Sequence, residues 1–173
     1  MKCEWSDLRD VELTSSIVHV DERGSFTKVF DGAAFGGVTS TQVCVSANHQ
    51  RGTLRGLHVQ VSPHPETKRL WCTAGEVWDV LVDLRIGEPT YGSWAGIHLT
   101  DVAPAMLTIP PGVAHGFQTL TDGATLVYLI DGDHVRESAR TLRHDDPAVG
   151  VQWPLDVTMI SANDRAGQSW PVS

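Results

Sequence analysis

Seven polar residues in this sequence have side chains that could act together on a substrate with an acidic C–H bond. They lie in separate stretches that resemble β-strands: Arg55, His58, Lys68, Asp79, Asp83, His115 and Tyr128. Proton abstraction beside a carbonyl needs a base, a positive donor for the developing enolate oxygen, and an acid that returns the proton. The set contains all three, so it predicts enolate chemistry if the strands bring these side chains into one cavity.

Residues 51–60 carry Arg55 and His58 three positions apart. Successive side chains of a regular strand point to opposite faces, so these two would lie on opposite sides. Gly56 stands between them, and a glycine inside a strand often marks a β-bulge or a close backbone approach. A bulge at Gly56 would bring both side chains into one pocket. Without it, the segment would be an ordinary strand with Arg55 and His58 in solvent.

A bound metal is the main alternative use of histidines in a β-barrel. Metal-binding cupins usually present His-x-His with a carboxylate and a later histidine, but here Gln60 stands two residues after His58. A carboxamide suits transition metals poorly. The sequence therefore predicts a site with no metal and no cofactor.

Residues 77–85 show the clearest strand pattern in the chain. Trp78, Val80 and Val82 alternate with polar positions that include Asp79 and Asp83, which is the period of two expected for a β-strand. Carboxylates on an inward face are costly unless the interior is polar. This strand is therefore expected to border a polar cavity, with Asp79 and Asp83 towards it.

Further strands are predicted at residues 11–20, 25–30, 41–46, 51–60, 91–99, 105–109, 113–117 and 124–130. Turns rich in glycine and proline separate them, and no long helical period occurs. The last forty residues read as irregular or weakly helical. Short strands between such turns predict an all-β, antiparallel sandwich or barrel, formed by a single domain over residues 1–173.

The overall charge limits the classes of partner. The 173 residues include 13 Lys+Arg and 21 Asp+Glu, a formal net charge of −8, which argues against a general nucleic-acid binder. A few arginines could still hold a small anion such as a phosphate. The sequence contains no run of 18 apolar residues, so it predicts no membrane helix. The N-terminus lacks the apolar core of a signal peptide. Three widely spaced cysteines, Cys3, Cys44 and Cys72, fit a reducing cytoplasm.

Several motifs between about residues 11 and 165 resemble, in order and spacing, the dTDP-4-dehydrorhamnose 3,5-epimerase family. They are Arg55-Gly56-Leu57-His58-Val59-Gln60, Gly75-Glu76-Val77-Trp78-Asp79-Val80, Gly87-Glu88-Pro89-Thr90-Tyr91-Gly92, Ile109-Pro110-Pro111-Gly112-Val113-Ala114-His115-Gly116-Phe117, Asp145-Asp146-Pro147 and Ser161-Ala162-Asn163-Asp164. The resemblance implies a metal-free, cupin-like jelly roll with short peripheral helices. It also implies a homodimer that acts on a nucleotide-linked 4-keto-6-deoxy sugar.

The resemblance also assigns catalytic roles. His58 would be the base, and Asp164 the carboxylate that orients it and raises its basicity. Lys68 would face the enolate oxygen, and Tyr128 would be the acid on the opposite face of the sugar ring. Without the resemblance, Asp164 and Lys68 would be expected on the surface, and Tyr128 would serve the core as well as catalysis.

Four substrate-binding residues follow from the same comparison. Arg55 and His115 would contact the substrate, with Asp79 or Asp83 supporting His115. Arg23 and Gln42 match positions that hold the nucleotide diphosphate, in this family partly across the dimer interface.

The sequence departs from the family around the nucleotide. Lys28 stands where a glutamate is common and Cys44 where an asparagine is common. His134 replaces an aromatic that stacks on the base, Ala139 lies near a substrate-contacting glutamate, and Leu129 replaces a lysine. The acid and base residues are retained while the nucleotide-binding positions change. The nucleotide, the sugar, and inversion at C3 alone or at C3 and C5 therefore stay open.

Two other functions fit parts of the pattern. A keto-isomerase of the same superfamily would move the carbonyl between C3 and C4 with a similar histidine and tyrosine, although the C-terminal Asp164 favours the epimerase. A non-catalytic cupin would only bind the sugar nucleotide. Retention of His58, Lys68, Tyr128 and Asp164 argues against it, because a binder needs no acid and base.

Overall fold

The computed structural model describes residues 1–22, 24–31 and 42–171. β-Strands make up most of the regular structure in this part of the chain. They are β1 (Glu12–Ser15), β2 (Val18–Asp21), β3 (Gly24–Thr27), β4 (Gln42–Ala47), β5 (Thr53–Gln60), β6 (Lys68–Ala74), β7 (Glu76–Asp83), β8 (Trp94–Thr100), β9 (Ala105–Ile109), β10 (Val113–Thr119), β11 (Thr125–Ile130), β12 (Ala139–Thr141) and β13 (Met159–Ile160). A 3₁₀ turn covers Trp5–Asp7, and the short helix α1 covers Ala162–Arg165.

Two facing sheets form the body of the protein. One has five strands in the order β1-β9-β6-β11-β4. The other has six, with β12-β5-β10-β7-β8 in order and β13 paired to β5. Neighbouring strands are antiparallel, except that β13 runs parallel to β5. The predicted all-β, antiparallel sandwich is confirmed.

Alternation along β7 explains how both faces of the six-stranded sheet are covered. Val77 and Leu81 point into the apolar core between the sheets, as the period of two predicts. Val80 and Val82 point to the other face, where residues of the C-terminal segment such as Leu142 cover them. The last forty residues, expected to be irregular, thus form a second core layer and contribute β12, β13 and α1.

The hairpin formed by β2 and β3 stands apart from the sheets as a two-stranded unit. The turn expected from residues 21–24 produces it, although Arg23 lies outside the described residues. All of its described residues except Thr27 are exposed. Within the described ranges, no helix is long and apolar enough to cross a membrane.

Candidate active site

The bulge predicted in β5 is present, and it turns the polar side chains of Arg55 and His58 to the same side of the strand. His58 pairs with His115 of β10 and Arg55 pairs with Phe117, so two residues of β5 oppose the single Gly116. Gly56 has φ of +117°, and a Cβ there would lie 2.6 Å from the Cα of Gly116. A side chain at position 56 would therefore collide with the backbone of β10. The bulge puts Arg55 and His58 on the wall of one cavity.

This cavity has a volume of about 800 Å³ and opens between the two sheets. β5 contributes Arg55 and His58 to it, β6 contributes Lys68, β4 contributes Gln42, and the helix α1 contributes Asp164. Its size is in the range of small-molecule and cofactor sites. Five residues expected at the site therefore line one cavity.

A short polar contact on the cavity wall joins His58 and Asp164. Nε2 of His58 lies 2.6 Å from Oδ1 of Asp164, whose residue is only 5% exposed. Burial raises the pKa of Asp164, but the hydrogen bond and charge of His58, together with the Gly56 and Ser161 contacts, outweigh it and leave the pKa below its usual value. An ionised Asp164 can only accept a hydrogen bond, so Nε2 of His58 donates to it. The lone pair of the His58 ring is then on Nδ1 and is available for a proton.

Two hydrogen bonds hold Asp164 in place, one through its own amide and one through its side chain. Ser161 caps α1 by accepting a hydrogen bond from the Asp164 amide at 3.1 Å. The amide of Gly56 donates to Oδ2 of Asp164 at 3.4 Å. The bulge that turns His58 into the cavity therefore also helps to hold its carboxylate partner.

Lys68 has a partner that the sequence did not suggest. Its Nζ lies 3.1 Å from Oε1 of Glu66, and the side chains of Lys68 and Glu66 are 12% and 11% exposed. Both line the cavity. Glu66 lies in the proline-rich loop before β6, where nothing in the sequence distinguishes it from a solvated loop residue.

A second buried pair lies deeper between the sheets. Nε2 of His115 is 2.7 Å from Oδ2 of Asp79, and both residues are almost fully buried. The pKa of Asp79 is raised above its usual value, because burial raises it by more than His115 and the charge of Lys68 lower it. Asp79 is therefore the carboxylate that supports His115. Asp83 instead binds the guanidinium of Arg85 at 2.7 Å.

Tyr128 lies beside this deeper pair. Its ring packs edge-on against His115 with the centroids 6.1 Å apart, and it contacts the core between the sheets. Burial, with the negative charge of Asp79 next, raises the pKa of Tyr128 well above its usual value, although the charge of Arg55 lowers it. The phenol therefore stays protonated at neutral pH and can donate a proton. Neither Tyr128 nor His115 is among the residues that line the cavity.

Asn48 fixes the arginine on the cavity wall. Nε of Arg55 donates to Oδ1 of Asn48 at 2.8 Å, and the buried Asn48 amide donates to the carbonyl of Ala124 at 3.0 Å. With Nε engaged, the terminal nitrogens of Arg55 are left for an anion or a substrate oxygen. Asn48 follows the end of β4, and its role had no signal in the sequence.

Gln60 occupies the position where a metal-binding cupin would have a second histidine, and it joins two loops. Its Nε2 donates to the carbonyl oxygens of His64 and Asp133 at 2.6 and 3.1 Å, and its Oε1 accepts from the Val135 amide at 2.8 Å. Both the nitrogen and the oxygen of the Gln60 carboxamide are thus hydrogen-bonded to backbone groups. Over residues 1–22, 24–31 and 42–171, no group of three or more His, Cys, Asp or Glu side chains could hold a metal ion.

The other residues that the sequence analysis associated with the nucleotide or the sugar lie in different places. Gln42 lies on the cavity wall and donates to the carbonyl of Gly132 at 3.0 Å, whereas Arg23 falls outside the described residues. His134, which replaces the base-stacking aromatic, is exposed and borders the cavity, and Ala139 borders it too. Lys28 pairs with Asp31 at 3.2 Å in an exposed position.

Comparison with known proteins agrees with this architecture. The dTDP-4-dehydrorhamnose 3,5-epimerase family model matches residues 6–171. The chain is 35% identical over 169 residues to dTDP-4-dehydrorhamnose 3,5-epimerase from Shigella flexneri, covering 95% of this chain and 93% of that protein. It is 37% identical over 115 residues to dTDP-4-dehydrorhamnose 3-epimerase from Streptomyces niveus, covering 66% of this chain and 56% of that one.

Solved structures show the same similarity. The Mycobacterium tuberculosis rmlC epimerase superposes with a TM-score of 0.88 at 33% identity, covering 98% of this chain and 88% of that one. A 3′-monoepimerase from Streptomyces bikiniensis, in complex with dTDP-quinovose, superposes with a TM-score of 0.85 at 31% identity, covering 92% and 83%. On the length of the family match and the identity to these relatives, this chain belongs to the dTDP-4-dehydrorhamnose 3,5-epimerase family.

Proposed function

We propose that this protein is a cofactor-free epimerase that inverts C3 of a nucleotide-linked 4-keto-6-deoxy sugar through an enolate. The observation that carries the proposal is the 2.6 Å contact between His58 and the buried Asp164 on the cavity wall. A histidine held by an ionised carboxylate is a competent general base near neutral pH. The sugar is linked to dTDP in this proposal, because a relative from Legionella pneumophila was solved with dTDP-4-keto-L-rhamnose.

The reaction uses the chain's own groups. Nδ1 of His58 takes the proton from C3, and the electron pair of the C–H bond moves into the adjacent carbonyl to form an enolate. The Lys68 ammonium donates to the enolate oxygen at C4. Tyr128 then protonates C3 from the opposite face of the ring and recovers a proton from solvent, while His58 releases its proton. Inversion follows because removal and return occur on different faces.

The other polar residues bind the substrate in this proposal. Arg55, with Nε held by Asn48, and Gln42 would contact the phosphates or the sugar, and Arg23 would join them. His115, held by Asp79, would hydrogen-bond the sugar. We propose that residues 1–173 form one domain that carries all of these contacts. We also propose that the protein is cytoplasmic, where the free cysteines Cys3, Cys44 and Cys72 would stay reduced.

We further propose that the protein works as a homodimer. Apolar side chains of the edge strand β4 and the separate hairpin are unusually exposed: Val43 is 69% exposed, Val45 66%, Val20 77% and Phe26 69%. Clustered exposed apolar residues mark interaction sites. Light scattering should give twice the chain mass, and the paired changes Val45→Lys and Phe26→Lys should give the chain mass. A wild-type protein that is monomeric at micromolar concentration would contradict the dimer.

The function is tested by NMR in D₂O with dTDP-linked 4-keto-6-deoxyhexoses, reading C3 and C5 separately. We expect deuterium at C3 together with the C3-inverted product, and signal at C5 decides whether that centre is inverted too. A carbonyl that migrates to C3 would identify a keto-isomerase. Saturable binding without hydrogen exchange at either carbon would identify a binding protein and end the proposal.

A further inference from the structure

The reaction described above uses Lys68 and leaves Glu66 without a role, although the two form an ion pair inside the cavity. Their side chains are nearly as buried as each other, with Nζ and Oε1 at 3.1 Å. Ion pairs exposed to solvent are weak, but this one is largely shielded. The Lys68 ammonium therefore has a largely shielded partner on the cavity wall.

Lys68 needs such a partner because only its backbone is fixed by the sheet. It is the first residue of β6, paired with Ile109 on one side and Ile130 on the other. Its four-carbon side chain would otherwise sample many rotamers, at an entropic cost when it is ordered. The other carboxylate that senses its charge, Asp79, is already bonded to His115.

Glu66 is itself well anchored. Gln60 donates to the carbonyl of His64 on the N-terminal side of Glu66. On the other side, the amide of Asp131 donates to the carbonyl of Thr67 at 3.0 Å. Both ends of the short segment are thus tied to the sandwich. The Glu66 side chain is also only 11% exposed, so burial as well as the backbone limits where its carboxylate can lie.

We propose that Glu66 is a positioning residue that holds the Lys68 ammonium in the direction of the substrate carbonyl. This inference rests on the enolate reaction proposed above. An ammonium has three N–H donors; one is occupied by Glu66, and two remain for the oxygen at C4. Because Glu66 acts through Lys68, its removal affects the rate of the reaction and leaves the affinity for substrate largely unchanged.

A double-mutant cycle tests the coupling. Glu66→Ala should lower kcat by about 10- to 100-fold, the scale of a misplaced catalytic group, with KM changed by less than about threefold. Glu66→Gln keeps an acceptor oxygen for Lys68 and should recover most of the loss. In a Lys68→Met background, Glu66→Ala should cost nothing more, because coupled residues are not additive.

Asp131→Ala is the matched control. Asp131 pairs with Arg69, the neighbour of Lys68 whose side chain alternates to the other face of β6, at 2.9 Å and with similar burial of the basic group. Loss of that pair should leave kcat per folded molecule near the wild-type value. Three results would overturn the inference: wild-type kcat in Glu66→Ala, an additive double mutant, or Glu66→Gln as impaired as Glu66→Ala.

A second measurement does not depend on catalysis. The chain has three lysines, Lys2, Lys28 and Lys68, so labelling by acetic anhydride can be followed at each by mass spectrometry. Glu66→Ala should speed labelling of Lys68 by about fivefold relative to Lys28, since the ammonium is released from its partner. Unchanged labelling would refute the positioning contact. An inactive wild type with accelerated labelling would instead reject the proposed reaction and keep the contact.

Discussion

Replacing Asp164 by asparagine tests the centre of the proposed mechanism with almost no change in shape. In the wild-type protein, the carboxylate accepts from Nε2 of His58 through one oxygen and from the Gly56 amide through the other. A carboxamide has only one acceptor oxygen. In Asp164→Asn, the NH₂ group must therefore face one of these two donors. If it faces His58, Nε2 becomes the acceptor, the proton moves to Nδ1, and the base is lost.

The electrostatic part of the loss can be worked out from the site. When His58 carries the abstracted proton, its charge centre is about 4 Å from that of Asp164, which gives about 1 kcal/mol in water and about 4 kcal/mol at an effective dielectric constant of about 20. Asp164 is buried while the His58 side chain is 46% exposed, so the contact lies between the two limits. A value of about 2–3 kcal/mol corresponds to about a 30- to 150-fold loss of rate. The change of tautomer adds to it.

We therefore expect Asp164→Asn to lower kcat at least about 30-fold, measured as deuterium uptake at C3 in single-substrate NMR assays. Asp145→Asn is the control, because Asp145 pairs with Arg143 on the surface and the change in charge is the same. Its rate should stay within about twofold of the wild type. A folded Asp164→Asn protein that exchanges C3 at the control rate would refute the role of Asp164.

Four further predictions concern the base, the acid, the bulge and the metal-free site. His58→Asn should lower turnover by about 10²-fold or more; a folded variant with normal turnover would remove His58 from the mechanism. Tyr128→Phe should still wash deuterium into C3, but with retained configuration, because His58 then returns the proton to the face it came from; normal inversion would assign the acid elsewhere. Gly116→Ala should lower the melting temperature and the activity together, since the new Cβ would lie 2.7 Å from the carbonyl oxygen of Arg55; an unchanged melting temperature would show that the bulge tolerates a side chain. Treatment with a chelator should leave activity unchanged, and recovery only on adding a divalent ion would contradict a metal-free site.

Local patterns predicted much of the fold because they depend on neighbouring residues. The alternation in residues 77–85 and the glycine between Arg55 and His58 each carry their structural consequence within a few positions. For strand β6, only the placement of Lys68 in a strand-like stretch was predicted, and its extent was not. Leu70 points into the main core and Trp71 into the smaller cluster near Phe30, so apolar side chains on both faces obscure the alternating pattern.

The candidate site was harder to predict because its pairs form between distant segments. His58 and Asp164 are 106 positions apart, and no spacing rule connects them; only the family resemblance did. The register of β7 against β10 does not separate Asp79 from Asp83, because His115 lies opposite Leu81 between them. The folded structure separates them, since Arg85 binds Asp83 and Asp79 binds His115. Glu66 depends on the path of a loop, which the sequence leaves undetermined.

The place of Asp164 in the chain has a consequence for how the protein can be shortened or fused. All strands in the described part of the chain end by Ile160, and the carboxylate that holds His58 follows in α1. A protein cut after Ile160 would keep every described strand, yet it would lack the partner of its base and the packing of Trp170 on the second core layer. In a library of truncations or insertions, turnover would therefore report that the polypeptide has been read through residue 164, whereas the presence of the sheets would not.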